Sequence, residues 1–177
     1  MSGKTKILIV GAGTGGVTVA ARLMNQNSNN NLEISIIDPS DKHFYQPLWT
    51  LIGAGVFKKE ESEKNQSDVI PAGVKWIKKA VDTFNPGENQ ITLDDGSKEN
   101  YDYLIVAAGI QINWSAIKGL EESIGKNGVC SNYSYKYVEK TWEFLQANKS
   151  GNILFTQPAM PIKCAGAPQK ILYMAED

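Results

Sequence analysis

Lys6-Ile-Leu-Ile-Val-Gly-Ala-Gly-Thr-Gly-Gly16 runs from an apolar strand pattern directly into Gly11-x-Gly13-x-x-Gly16. A helical pattern follows at once, with Val17, Ala20, Ala21 and Met24 on one face. A second apolar run, Leu32 to Ile37, closes on Asp38, 22 residues beyond Gly16. Strand, glycines, helix and acid together make the dinucleotide fingerprint in its required context. Gly11 permits the tight turn, Gly13 lets backbone approach a pyrophosphate, and Gly16 lets the helix pack close on the strand. The helix start offers free N–H groups and partial positive charge, and Thr14 and Gly15 stand in that first turn. No carboxylate competes there, because the first acidic residue of the chain is Glu33.

Around this nucleus the predicted fold is α/β, a Rossmann-like domain with a parallel sheet. Residues 74–106 read as short strands, Val74–Lys79, Ala80–Phe84, Gln90–Leu93 and Tyr101–Val106. Asn85-Pro86-Gly87 and Asp94-Asp95-Gly96 supply turns between them, giving a small β-meander. The mixed-charge stretch 58–68 is expected to be a solvated, mobile loop. The segment His43–Gly55 is rich in aromatics, with Pro47 at a first helical turn. It reads either as a packed helix start or as a wall around a flat ring system. Ser134 is expected to cap a helix to about Asn148, with Tyr135, Val138, Trp142 and Leu145 on one stripe. Gly151–Thr156 is expected as a strand, and Ala167 to Asp177 as a helix. This places a first domain at 1–115. Residues 116–177 then hold a linker and the start of a second Rossmann-like unit, broken off after one strand, loop and helix.

Bulk properties exclude several classes. The formal net charge is −1, from 18 basic and 19 acidic residues, so no basic excess points to nucleic acid. No apolar run approaches the ~18 residues of a membrane span. Strand one begins almost at Met1, which leads to the expectation of no targeting peptide and a cytoplasmic location. Two cysteines, Cys130 and Cys164, are too few for a disulfide framework. Nothing suggests a metal site.

An acid on the ribose serves NAD and FAD alike. The short turn-linked strands leading into Ala107-Ala108-Gly109 follow the order of FAD domains in flavoproteins with two dinucleotide domains. His43-Phe-Tyr-Gln-Pro, Gly53-Ala-Gly, Val69-Ile-Pro-Ala-Gly-Val-Lys-Trp-Ile and Tyr103-Leu-Ile-Val-Ala-Ala-Gly-Ile-Gln111 add detail, as do Ser131-Asn-Tyr-Ser and Lys163-Cys-Ala-Gly-Ala-Pro-Gln-Lys170. In these stretches the chain resembles the sulfide:quinone oxidoreductase family, in its mitochondrial-like branch. The resemblance covers essentially the whole chain but only about the N-terminal half of a family member.

The resemblance implies a path. Sulfide attacks a cysteine disulfide or trisulfide beside FAD, giving a persulfide and a thiolate. Electrons pass through the flavin to a membrane quinone, and the sulfur leaves on an acceptor such as sulfite or a thiol. Cys164 matches one redox cysteine and is assigned the flavin-facing thiolate. It follows Lys163, opens a helix and sits in a loop, a setting that makes a thiol reactive. Cys130 is either a third family cysteine or structural. The sole histidine, His43, either carries a proton or positions its loop. The cofactor set carried over is Gly11, Gly13, Thr14, Gly15, Gly16, Asp38, Gln46, Val81, Ala108 and Gly109. At Ala108 a Thr is common in related flavoproteins, so one hydroxyl contact is missing. The full-length form is expected to sit peripherally on a membrane, such as the cytoplasmic face of a bacterial inner membrane. The fragment is expected to self-associate through uncovered apolar surface. Two alternatives stay open. A type II NADH:quinone dehydrogenase would need a second glycine fingerprint where Thr156–Cys164 stands. A non-catalytic nucleotide-binding remnant needs nothing more.

Overall fold

The computed structural model describes residues 3–176. It divides into two compact units, one of residues 1–43 and 64–109, the other of residues 44–63 and 110–177.

In the first unit, β1 (Thr5–Val10), β2 (Leu32–Ile37), β5 (Lys75–Ile77) and β9 (Tyr103–Val106) form a four-stranded sheet in the order β5-β2-β1-β9. All pairings are parallel, with Ile7 opposite Ile34 and Tyr103, and Ile37 opposite Ile77. The continuous apolar runs of β1 and β2 are what a sheet covered on both faces requires. Side chains alternate across a strand, so one run feeds two cores. Ile7, Ile9, Ile34 and Ile36 face α1 (Thr14–Gln26), which contributes Val17, Ala20, Leu23 and Met24. Leu8, Val10 and Ile37 face the other way, onto Ile91, Leu93 and Tyr101. Each such fully buried side chain contributes roughly 1.5–3 kcal/mol.

That second cover is a three-stranded antiparallel sheet, β6 (Val81–Asn85), β7 (Gln90–Leu93) and β8 (Lys98–Asn100). The expected meander thus begins only at Val81. The segment at 75–77 instead lies parallel beside β2, because Trp76 and Ile77 give it apolar groups on opposite faces. The Trp76 indole N–H also donates to the Asp38 carbonyl at 2.9 Å. The strand β8, formed from the polar Lys-Glu-Asn, has no hydrophobic alternation to announce it.

The chain leaves and re-enters this unit through β3 (Lys42–Phe44) and β4 (Glu63–Asn65), and α3 (Gln66–Val69) follows. The solvated loop expected at 58–68 is therefore ordered structure. A 3-10 turn spans Lys59–Ser62, and Ser62 and Gln66 are each only 2% exposed. Charge in the stretch masked two small polar groups that are buried because each has a partner.

The second unit is built on α2 (Trp49–Gly53), preceded by a 3-10 turn at Gln46–Leu48, with α4 (Leu120–Ser123), α5 (Val138–Ala147) and α6 (Ala167–Glu176). Trp49, Ile52 and Val138 form its core, with Phe44, Leu48 and Tyr135 against them. The packed reading of the aromatic segment therefore applies to Trp49, whose indole N–H donates to Ser62 Oγ at 3.2 Å. The helix at 138–147 starts later than expected. The Ser134 carbonyl, not its hydroxyl, accepts from the N–H groups of Tyr137 and Val138. Tyr135 precedes the helix and packs on Phe44, with ring centroids 4.3 Å apart. Residues 151–156 do not form the expected strand, and Leu154 is 85% exposed. A strand needs a ladder partner, and the described residues of this unit offer none. The expected helix end at Asp177 lies outside the described residues.

Candidate functional site

The loop between β1 and α1 is held by backbone geometry that only glycine allows. Gly11 has φ +96°, and a Cβ there would stand 2.4 Å from the Ala107 carbonyl oxygen. At Gly16 a Cβ would stand 1.8 Å from the Gly11 carbonyl oxygen. Gly13 is different: a Cβ there would meet nothing within 4 Å. Two glycines thus permit close packing inside the chain, and the third leaves space outside it. Gly109, just after β9, has φ +73° and the same open space. The Gly11 N–H donates to the Ile37 carbonyl at 2.8 Å, and the Ala107 N–H to the Val10 carbonyl at 2.7 Å. These bonds bring the ends of β1, β2 and β9 together.

Asp38 follows β2 and spreads its carboxylate over two backbone donors. Oδ2 accepts from the Ala12 N–H at 2.7 Å and Oδ1 from the Ser40 N–H at 2.8 Å. The α1 N-terminus carries no side-chain cap and no acid in its first turn. Thr14 and Gly15 open that helix, and Val81 opens β6. The structure therefore gathers Gly11, Gly13, Thr14, Gly15, Gly16, Asp38, Ala108 and Gly109 around the β1 and β9 C-terminal ends. An uncapped helix start, an open face at Gly13 and a carboxylate at the end of β2 suit the ADP half of FAD.

Gln46, Cys130 and Cys164 belong to the second unit. Gln46 and Cys164 line one cavity of about 350 Å³, together with Thr50, Tyr133, Lys163 and Lys170. Cys164 is exposed and stands before α6, and its carbonyl accepts from the Ala167 N–H at 3.3 Å. The Tyr133 hydroxyl donates to the same carbonyl at 3.4 Å. Burial, and then the neighbouring Cys164, pushes the Tyr133 phenol up. Cys130 is half-buried and does not line that cavity. Burial raises its thiol pKa, with the Thr141 hydroxyl acting the other way.

Sequence reasoning missed Thr50, whose hydroxyl is buried without a hydrogen-bond partner, and Tyr133. The Ser131-Asn-Tyr-Ser stretch signalled Tyr133; Thr50 carried no signal. His43 stands in the first unit with Nδ1 3.2 Å from the Ala12 carbonyl oxygen, which favours its loop-positioning reading. No group of described residues has the composition of a metal site. No helix of the described residues is long and apolar enough to cross a membrane.

Residues 5–147 match the family model of the pyridine nucleotide-disulphide oxidoreductases. Mitochondrial sulfide:quinone oxidoreductase of Dictyostelium discoideum is 50% identical over 174 residues, 98% of this chain and 38% of that protein. The Mus musculus protein of the same name is 48% identical over 171 residues, again 38% of its length. The chain thus spans under two fifths of these relatives. Among solved structures, the sulfide:quinone oxidoreductase of Aquifex aeolicus superposes with a TM-score of 0.65 at 22% identity. That match covers 81% of this chain and 32% of the other, and it shows a shared fold.

Proposed function

The chain belongs to the pyridine nucleotide-disulphide oxidoreductase family, whose members are FAD-dependent enzymes, and we propose that it is the N-terminal part of a sulfide:quinone oxidoreductase. The observation that carries this is Cys164, exposed on a cavity wall between Lys163 and Gly166, within Lys163-Cys-Ala-Gly-Ala-Pro-Gln-Lys170. Half-identity to the Dictyostelium protein over nearly the whole chain supports it.

When bound, FAD supplies a two-electron acceptor. The residues proposed to hold its ADP half are those of the β1–α1 loop. Gly13 leaves room for the pyrophosphate, the free first-turn N–H groups of α1 face it, and Asp38 accepts from the ribose hydroxyls. Val81, Ala108 and Gly109 complete this proposed set through backbone, and Gln46 is proposed with them on resemblance. Cys164 is the proposed redox cysteine, its thiolate donating to the flavin after sulfide has opened the disulfide. Quinone and a sulfur acceptor such as sulfite or a thiol are the proposed further partners. The proposed location is cytoplasmic or the cytoplasmic face of a bacterial inner membrane. Exposed Tyr103 and Val106 on β9, and Leu154 and Tyr173 in the second unit, support self-association.

The test is calorimetric titration of the purified chain with FAD and with ADP. Both are expected to bind. Asp38→Ala is expected to weaken binding by about 1.5–3 kcal/mol, the value of a charge-assisted hydrogen bond. Absence of binding by the unaltered chain would remove the nucleotide site.

A further inference from the structure

We propose that Gln66 and His43 are positioning residues for the pyrophosphate-binding peptide, acting together through the Ala12 carbonyl. The proposal rests on the nucleotide reading of the glycine loop and adds to it the device that orients the loop.

Ala12 is fully buried, and both of its backbone polar groups are taken by side chains. Asp38 Oδ2 holds its N–H. Gln66 Nε2 donates to its carbonyl at 3.0 Å, and His43 Nδ1 lies 3.2 Å from the same oxygen. A carbonyl only accepts, so this approach places a hydrogen on Nδ1. A carbonyl oxygen carries two lone pairs, and here both have a donor. The Gln66 amide is 2% exposed, so it has no water to bond instead.

The consequence follows from the planarity of the next peptide. In a trans peptide the C=O of one residue and the N–H of the next point in opposite directions. Turning the Ala12 carbonyl inward onto Gln66 and His43 therefore turns the Gly13 N–H outward. Among the described residues that N–H has no acceptor within the chain. The Gly13 Cβ position is open as well, with nothing within 4 Å. Without the two donors the peptide gains freedom to rotate, and the ligand must supply the ordering. Gln66 and His43 are distant in sequence from the glycine loop, and neither belongs to the fingerprint.

The test uses Gln66→Met, which keeps length and lacks the donor, His43→Phe, which keeps a ring, and Gln66→Glu. ADP and adenosine are titrated by calorimetry or by competition with FAD. Gln66→Met is expected to weaken ADP by about fivefold or more, the value of one buried hydrogen bond. Adenosine, which has ribose and no phosphate, is expected to bind the variant as it binds the unaltered chain. In Gln66→Glu the carboxylate faces a carbonyl and repels it, whereas the protonated acid donates as the amide does. Its ADP affinity relative to the unaltered chain is therefore expected to recover as pH falls from 8 to 5, and that of Gln66→Met to stay low. A variant that merely loosens the fold would show no such recovery. ADP affinity in Gln66→Met and His43→Phe equal to that of the unaltered chain, equal weakening of adenosine and ADP, or a flat pH ratio for Gln66→Glu would each overturn the proposal. ADP binding by the unaltered chain separates this from the parent reading, which fails only if that binding is absent.

Discussion

Cys164 and Cys130 are chemically the same side chain in opposed settings. Cys164 is exposed on a cavity wall; Cys130 is half-buried and its thiol is pushed up by burial. The thiolate is the nucleophile, so exposure favours Cys164 and the raised thiol pKa disfavours Cys130. Iodoacetamide labelling, read by peptide mass spectrometry across pH, is expected to modify Cys164 first. Cys130 labelling is expected to keep rising above the ordinary thiol pKa of about 8.5. Equal rates at the two cysteines would reject the assignment. A second titrating group is Tyr135, whose phenol donates to the Glu63 carboxylate. Burial, and then the Glu63 hydrogen bond and charge, raises its pKa. A raised pKa means that the fold prefers the neutral phenol. Its stabilisation is complete below the unfolded value near 10 and is lost as pH rises above it. Urea midpoints between pH 8 and 11 should therefore fall more for the unaltered chain than for Tyr135→Phe. Parallel falls would show that this phenol contributes nothing.

At the scale of elements, β1 and α1 meet through two glycines and present a third to solvent. Gly16→Ala puts a methyl 1.8 Å from the Gly11 carbonyl oxygen, so helix or strand must move. The expected loss is about 1–3 kcal/mol. In a chain of this size each kcal/mol shifts Tm by about 2–4 °C. Gly13→Ala has open space, so its Tm should match the unaltered chain while its ADP and FAD affinity falls. The opposite pattern in thermal melts would reverse the roles of the two glycines. The elements legible in the residue order were those with strong periodicity. β1, α1 and β2 lie where their apolar patterns predicted, because each pattern matches one face of one element. Short polar elements were not legible: β8 has no apolar alternation, and α3 is ordered by Gln66 reaching Ala12, 54 residues away.

For the molecule as a whole, the expected outcome is a nucleotide-binding chain that does not turn over. In the proposed reaction Cys164 needs a second sulfur for the disulfide that sulfide attacks, and Cys130 does not share its cavity. With FAD, sulfide, a short-chain quinone and a thiol acceptor supplied, turnover is expected below about 1 per second, the low end for ordinary enzymes. Faster turnover would point to a Cys130–Cys164 couple. NADH in place of sulfide is expected to give no quinone reduction, and oxidation of it would revive the dehydrogenase alternative. By itself the residue order determined the glycine fingerprint, the strand–helix–strand start, the acid at Asp38 and the family resemblance. All of these are local patterns, written in consecutive residues or in a fixed spacing. Tertiary structure alone decided that residues 44–63 join 110–177 in one unit, and that Lys75–Ile77 enters the parallel sheet. It alone placed Gln66 and His43 on the Ala12 carbonyl and left residues 151–156 without a strand partner. Each of these depends on which surfaces meet when the chain closes, and no single segment carries that information.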